Sequence, residues 1–439
     1  MCRKRKLRWF KILGMKPSTA NKSRTARLFA QEPPEAGASV PPIQAEGLNE
    51  SADAALLSVL HIGKFYLPYR GGIESHLHAL CRELTKSITV NVIVANEGHR
   101  LRESVIDGVR IKRLPRLFNL SATPVCPTMV REIHRADADI IHLHLPNPLA
   151  ALAYLASRHK GRLVVTWHSD IVRQKTIGRM LRPLDDAILS RASALIASSP
   201  NYVDSSPILS RNRDRCRVIP FGIDADAFAP RDAETAAKIR KRYGPRIVLA
   251  VGRMVYYKGF EFLIRAMAGV RGHLLLVGEG PLLRKLERQA FDAGATDRIT
   301  FLGRVSQEEM ISYFHAADVF VMPSIARSEA FGIAQLEAMA CGKPVVNTRL
   351  KSGVPFVSID GETGFTVGPG DADELAVAIN RLFDDPVLRS RLGVAAARRA
   401  REEFSVEGMV NRTLELYREV MANGPIGAVN PGGSPLRRE

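Results

Sequence analysis

SEAFGIAQLEAMACGKPVV, residues 328–346, carries two carboxylates, Glu329 and Glu337, eight positions apart. Between them lies Phe331-Gly332-Ile333, where the pattern predicts a loop turning into a helix. Just upstream, Val319-Phe320-Val321-Met322 is an apolar run ended by Pro323-Ser324, the pattern of a buried strand. The predicted order is strand, loop with Glu329, helix start at Gly332, then Glu337 inside the helix. A helix N-terminus presents unpaired N–H groups and a partial positive charge, so it suits a diphosphate. At a rise of ~1.5 Å per residue, the two carboxylates fall on opposite sides of that site. Carboxylates accept hydrogen bonds from vicinal hydroxyls, and a diphosphate with one sugar on each side is a nucleotide-sugar.

The same alternation extends outward. Strands are predicted at Leu56–Ile62, Thr89–Ala95, Val109–Leu114, Ile140–Leu145, Leu163–Trp167, Ala194–Ala197 and Arg217–Ile219, with helices such as Ile73–Lys86 and Thr176–Arg191 between them. Pro220-Phe221-Gly222-Ile223-Asp224 closes this half. The pattern restarts at Ile247–Val251, His273–Val277, Ile299–Leu302, Val319–Met322 and Pro344–Asn347, and helices fill residues 371–423. Strands alternating with helices imply parallel sheets covered on both faces. The fold class is therefore α/β, with two Rossmann-like domains facing each other across a cleft. The predicted boundaries are 54–224 for the first domain and 225–404 for the second. Ala225–Gly244 reads as a charged linker, helical in part. Residues 1–53 and 424–439 read as disordered, the first basic and Pro-rich, the second Gly-rich.

Several loops at the carboxyl ends of these strands carry chemistry-bearing residues. Gly71-Gly72-Ile73 lies between the first strand and its helix, where glycines let backbone approach a phosphate or an acceptor. No G-x-G-x-x-G occurs, which argues against a dinucleotide cofactor. His168 ends the strand Leu163–Trp167, where a polar residue faces the ligand crevice of a parallel sheet. His144, the last residue of Ile141-His142-Leu143-His144, is either a cleft residue or core packing. Arg253 and Lys258 follow the first strand of the second half. They are either two solvated cations in a loop or, as a planar fork and a compact ammonium, a phosphate clamp that needs no metal. Gly278 and Gly280, in Gly278-Glu279-Gly280-Pro281, either leave room for a nucleotide base or form an ordinary tight turn.

The stretch around Glu329 and Glu337 resembles the E-x7-E motif of retaining glycosyltransferases of family 4, which have the two-domain GT-B fold. The resemblance runs from about residue 56 to 421. It includes the P-x-x-G-G loop at Pro68–Gly72, the His of Thr166-Trp167-His168-Ser169-Asp170, and Gly252-Arg253 followed after four residues by Lys258-Gly259. It implies that His168 lies near the transferred sugar and that Arg253 and Lys258 hold the leaving diphosphate. It also implies that Glu329 holds the donor sugar, that Glu337 holds the ribose, and that Gly332 and Ile333 N–H groups meet phosphate. Phe331 flanks that donor site, and backbone near Val305, in Phe301-Leu302-Gly303-Arg304-Val305, meets the base. The catalytic set is then His168, Arg253, Lys258 and Glu329. The donor set is Gly71, Gly72, Arg253, Lys258, Gly278, Val305, Glu329, Phe331, Gly332, Ile333 and Glu337. One departure is Ala330, where the family often has Gly. The last helix, 405–421, is expected to cross back onto the first domain. Arg182-Pro183-Leu184 through Ser198-Ser199-Pro200-Asn201-Tyr202 resembles a subgroup making bacterial surface polysaccharides with GDP-mannose or similar GDP-sugars. UDP-sugars are the alternative donor.

Composition bounds the rest. The chain has 439 residues, enough for two cores, and a net charge of +18. Ten Lys and Arg fall in residues 1–30, which hold no acid. That segment reads as a solvated tail or an upstream start, as a membrane anchor using Trp9, Phe10, Ile12 and Leu13, or as a nucleic-acid arm. No nucleic-acid-binding motif is evident, so that rival class rests on charge alone. A phosphorylase of the same fold would need a cofactor lysine, and no residue is identified for it. The five cysteines include no C-x-x-C pair, so neither a zinc site nor a disulfide framework is supported. No apolar run reaches the ~18–20 residues that span a bilayer. The expectation is an enzyme without metal or cofactor. Its partners would be a nucleotide-sugar, a glycan or lipid-linked glycan acceptor, and an anionic membrane surface rather than nucleic acid. Its place would be cytoplasmic, peripheral on the inner membrane face.

Overall fold

A computed structural model describes residues 57–69, 71–120, 123–170, 175–230 and 232–423. The expectations for 1–53 and 424–439 lie outside the described residues. Among the described residues the first half builds ten strands: β1 (Ser58–Ile62), β2 (Thr89–Ala95), β3 (Arg102–Ile106), β4 (Val109–Leu114), β5 (Phe118–Leu120), β6 (Thr123–Val125), β7 (Ile140–Leu145), β8 (Arg162–Trp167), β9 (Ala192–Ala197) and β10 (Cys216–Val218). Eight of them form one sheet in the order β10-β9-β8-β7-β1-β2-β4-β3, and β5 and β6 pair as a separate hairpin. The central strands are nearly continuous apolar runs because both faces are covered. β3 departs from the all-parallel expectation. It pairs antiparallel with β4 at the sheet edge, and its mixed sequence RESVI hid it from a search for apolar runs.

The second half forms a parallel six-stranded sheet from β11 (Ile247–Val251), β12 (His273–Val277), β13 (Ile299–Gly303), β14 (Val319–Val321), β15 (Val345–Thr348) and β16 (Gly364–Val367), in the order β13-β12-β11-β14-β15-β16. Its helices start on side-chain caps where the sequence supplies them. Asp371 accepts from the Asp373 and Glu374 N–H groups, and Ser306 and Glu309 form a reciprocal capping box. Residues 225–244 do not behave as a free linker. Phe228 and Ile239 are buried in the second core, and the helix Ala233–Tyr243, in a segment expected to be helical in part, packs against the helix Gln307–Ala316.

Three helices position the cleft: α1 (Gly72–Leu84), α2 (Ile333–Ala340) and α3 (Val406–Asn423). α3 returns to the first sheet, where Val406, Met409, Val410, Leu414, Leu416, Tyr417 and Val420 join a core with Val59, Leu77, Val92 and Val164. Each such side chain contributes roughly 1.5–3 kcal/mol when fully buried, enough to hold the crossover. The two passages of the chain between halves lie side by side. Ile223 N donates to Phe404 O at 2.7 Å and Val406 N to Ile223 O at 3.2 Å. Gly222 is required there, since a Cβ would sit 2.6 Å from Val406 Cα.

Candidate functional site

The loop after β11 turns at Gly252, whose φ of +154° favours glycine. It folds Lys258 back so that its Nζ lies 2.6 Å from Glu329 Oε2. The lysine and glutamate side chains are only 12% and 10% exposed. Ser324 Oγ donates to the same carboxylate oxygen at 3.2 Å. Burial pulls the Lys258 ammonium down, but Glu329 and Tyr257 outweigh it and the net shift is upward. The cation is thus held charged and aimed at the loop that precedes α2.

α2 begins at Gly332, with φ +83°. The positive φ favours glycine, and a Cβ there would lie 2.5 Å from Met322 Cε, so the end of that methionine would have to shift. Gln335 Nε2 donates to Phe331 O at 2.8 Å and to Val354 O at 3.1 Å, which pins the helix start. Glu337 follows one turn on. Part of it stays open to solvent, yet burial pushes its carboxyl up to about 7, against the pull of Lys258. The Phe331 ring is spent on packing. It is 2% exposed, 4.9 Å from the Phe221 ring centroid and 5.9 Å from that of Phe404. It has backbone alone to offer a ligand.

The first half meets this loop through α1. A Cβ on Gly72 would lie 3.6 Å from Ile333 Cδ1, so the two glycine-bounded helix starts face each other across the cleft. Glu74 in the first turn is 8% exposed. Burial pushes its carboxyl up, opposed by its own backbone N–H and by the cations Lys64 and Arg253. Arg253 is exposed. The halves are also clasped by Arg327, whose Nη2 lies 3.2 Å from Asp170 Oδ2 and whose Nη1 donates to Ser205 O. His168 follows β8, 3% exposed, and its Nε2 lies 2.9 Å from His144 Nδ1.

The structure therefore brings Lys258 and Glu329 together, sets Gly72 against Ile333, and places Arg253 in the field of Glu74 and Lys64. Gly278 and Gly280 have a different account from a space for a base. Their Cβ atoms would meet Gly252 O at 2.1 Å and Met254 O at 2.4 Å, so loop-against-loop packing suffices to require them. Val305 is half-buried against the second core. Sequence reasoning missed Lys64, Glu74, Asp170 and Arg327, and did not place His61 or His76. Glu74 adjoins the Gly71-Gly72-Ile73 run and His142-x-His144 has strand spacing, but ion pairs between halves leave no periodic trace. Among the described residues, two histidine trios have ring nitrogens within 4.8 Å of one another: His61, His142 and His144, and His76, His144 and His168. Neither includes Glu329 or Glu337.

Two Rossmann-like halves, a returning terminal helix and opposed loops at the strands' carboxyl ends define a glycosyltransferase of the GT-B fold. Comparison with known proteins agrees. The family model "Glycosyltransferase Family 4" matches residues 70–227, and "Glycosyl transferases group 1" matches residues 232–399. The O-antigen chain mannosyltransferase C of Escherichia coli is 32% identical over 82% of this chain and 98% of its own length. The D-rhamnosyltransferase WbpZ of Pseudomonas aeruginosa is 33% identical over 80% and 92%. A GDP-mannose-dependent phosphatidylinositol monomannoside mannosyltransferase of Mycolicibacterium smegmatis is 32% identical over 75% and 90%. A solved sucrose-phosphate synthase from Thermosynechococcus elongatus superposes with a TM-score of 0.71 at 25% identity, over 83% of this chain and 99% of that one. The chain belongs to glycosyltransferase family 4. No helix among the described residues is long and apolar enough to cross a membrane.

Proposed function

We propose that this enzyme transfers a hexose, with retention and without a metal, from a GDP-sugar such as GDP-mannose to a lipid-linked or polysaccharide glycan in surface-polysaccharide synthesis. The observation that carries the reading is the enclosed Lys258–Glu329 pair beside the Gly332 helix start. In this reading the donor's diphosphate takes the place of Glu329 as partner of Lys258, with Arg253 and the Gly332 and Ile333 N–H groups completing the clamp. Charge developing on the leaving diphosphate is stabilised by donors already in place. Glu329, released, accepts hydroxyls of the hexose, and Glu337 accepts those of the ribose. His168 and the Gly71-Gly72 loop approach the hexose from the first half. A diphosphate oxygen takes the acceptor's proton on the face the diphosphate leaves, which preserves the anomeric configuration. The GDP-sugar preference draws on the mannosyl- and rhamnosyltransferase names of the relatives. The acceptor class places the enzyme on the inner membrane face.

A ligand that binds the native state raises its apparent stability. Thermal melts with GDP, UDP, ADP and GDP-mannose test the reading. The expected result is a rise with GDP and GDP-mannose that Glu337→Ala abolishes. A rise with UDP-sugars alone overturns the donor assignment. No rise with any nucleotide overturns the site. Undiminished transfer in EDTA and an α product from an α donor complete the test.

A further inference from the structure

The middle of the first sheet holds more buried histidine than the transfer reaction accounts for. β1, β7 and β8 are parallel and in register, with His61 opposite His142 and His144 opposite Thr166. Side chains alternate along a strand, so His61, His142, His144, Thr166 and His168 share one face. That face is the one α3 covers, which brings Tyr417 onto it. All six side chains are 3% exposed or less. Buried polar groups are costly unless hydrogen-bonded, and these bond to one another in a single file. Thr166 Oγ1 is 2.6 Å from His142 Nε2, and His142 Nδ1 is 2.5 Å from Tyr417 Oη. Tyr417 Oη is 3.4 Å from His61 Nε2, His61 Nδ1 is 3.1 Å from His144 Nε2, and His144 Nδ1 is 2.9 Å from His168 Nε2. The file ends at His168 Nδ1, a buried nitrogen that has no hydrogen-bond partner among the described residues. Neither has Nδ1 of His76, whose ring centroid is 5.4 Å from that of His168.

Burial keeps every ring in the file neutral, pulling His61 down to about 3 and the others well below the ordinary value, and it keeps the Tyr417 phenol protonated. A neutral imidazole has one donor nitrogen and one acceptor. Each ring must therefore pass on the polarity it receives, and the file has two arrangements. The Tyr417 hydroxyl has one proton to give. Its short contact is to His142 Nδ1 and its long one to His61 Nε2, which suits O–H donation to the first and N–H acceptance from the second. His142 then donates from Nε2 to Thr166. In the other direction His61 donates to Tyr417 from Nε2, His144 donates to His61 from Nε2, and His168 donates to His144 from Nε2. His168 Nδ1 is left bare.

We propose that Tyr417, acting through His61 and His144, sets the tautomer of His168 so that its unpaired Nδ1 is an acceptor for a hydroxyl of the bound sugar. Tyr417, His61 and His144 are positioning residues. The helix that joins the two halves thereby selects the hydrogen-bonding character of a group at the cleft. The sugar contact rests on the proposed function; the tautomer does not. A divalent cation at either histidine trio would need a nitrogen of His144, and both of these are engaged within the file.

The experiment uses the full chain with ring-15N histidine and two-bond 1H–15N spectra, with His168 assigned through His168→Gln. Wild type is expected to show His168 as the Nε2–H tautomer. Tyr417→Phe keeps the ring in the core and removes the hydroxyl. It is expected to give a mixture at His168, with about a tenfold fall in kcat for GDP-mannose hydrolysis and KM within twofold. In a His168→Gln background Tyr417→Phe should change kcat no further. If Tyr417→Phe does not fold, His144→Gln, which can still donate and accept, should retain more turnover than His144→Leu. An Nδ1–H tautomer in wild type, an unchanged His168 signal in Tyr417→Phe, or a stoichiometric metal on the histidines would each overturn the proposal. Equal kcat losses in the two backgrounds would reduce Tyr417 to packing. If His168→Gln leaves turnover intact, the sugar contact fails, and the spectra still decide the tautomer.

Discussion

Glu337 should lower the stability of the fold that carries it. Its carboxyl rises from 4.5 to about 7 in the folded chain through burial. A carboxyl whose folded value is raised leaves the native state holding more protons than the unfolded state between those values, so stability falls as pH rises through that window. Below pH 4.5 both states are protonated and nothing is lost. Above 7 the full penalty is present. At about 1.36 kcal/mol per pH unit the ceiling is roughly 3 kcal/mol, and the solvent reaching part of the side chain reduces it to roughly 1–2 kcal/mol. Glu337→Gln keeps the shape and removes the ionisation. Urea unfolding at pH 8 should find the variant more stable than wild type by about that amount, and the difference should vanish by pH 4.5. The same variant should lose most of its nucleotide-induced stabilisation, since an uncharged amide is a weaker acceptor for ribose hydroxyls. If Glu337→Gln is less stable than wild type at pH 8, with the gap independent of pH, the account of a strained binding carboxylate is wrong.

Three further outcomes follow from the geometry. Lys258→Ala strands the Glu329 carboxylate in a nearly closed site and should cost about 3 kcal/mol, and Lys258→Ala/Glu329→Ala should cost less; equal losses in chemical denaturation would show that the pair is not coupled. Arg253 is exposed, so Arg253→Ala should leave stability within roughly 0.5 kcal/mol while turnover drops at least about tenfold, as loss of charge-assisted bonds to a diphosphate requires; unchanged turnover would remove it from the clamp. Gly332→Ala must adopt φ +83° and displace Met322, so a loss of about 2 kcal/mol is expected together with weakened nucleotide binding in the same melts.

Much of the fold was legible because its signals are local. Apolar runs such as Val319–Met322 and Ile247–Val251 mark strands buried on both faces, and each came out within a residue of its observed end. Glycines at helix starts marked Gly72 and Gly332. What stayed hidden lacks a local pattern. β3 is a polar edge strand, paired antiparallel with β4 because only the tight turn Asp107-Gly108, both at positive φ, joins them. Residues 225–244 look charged, yet Phe228 and Ile239 are enough to dock them. The glycines at 278 and 280 gave no sign of what they pack against. Phe331 lies between the two glutamates in the sequence, yet its ring turns into the core against Phe221 and Phe404.

By itself the sequence determined two Rossmann-like halves and the loops that carry Arg253, Lys258, Glu329 and Glu337, because periodicity, turn residues and helix starts are encoded in contiguous residues. Tertiary structure alone decided which groups meet. Tyr417 reaches His142 across 275 positions because the apolar face of α3 is buried against the first sheet rather than its own. Lys258 meets Glu329, and Gly72 meets Ile333, because the carboxyl ends of two separate sheets are brought face to face. Their proximity depends on burial and on the close packing of Gly222 against Val406, which join residues far apart along the chain.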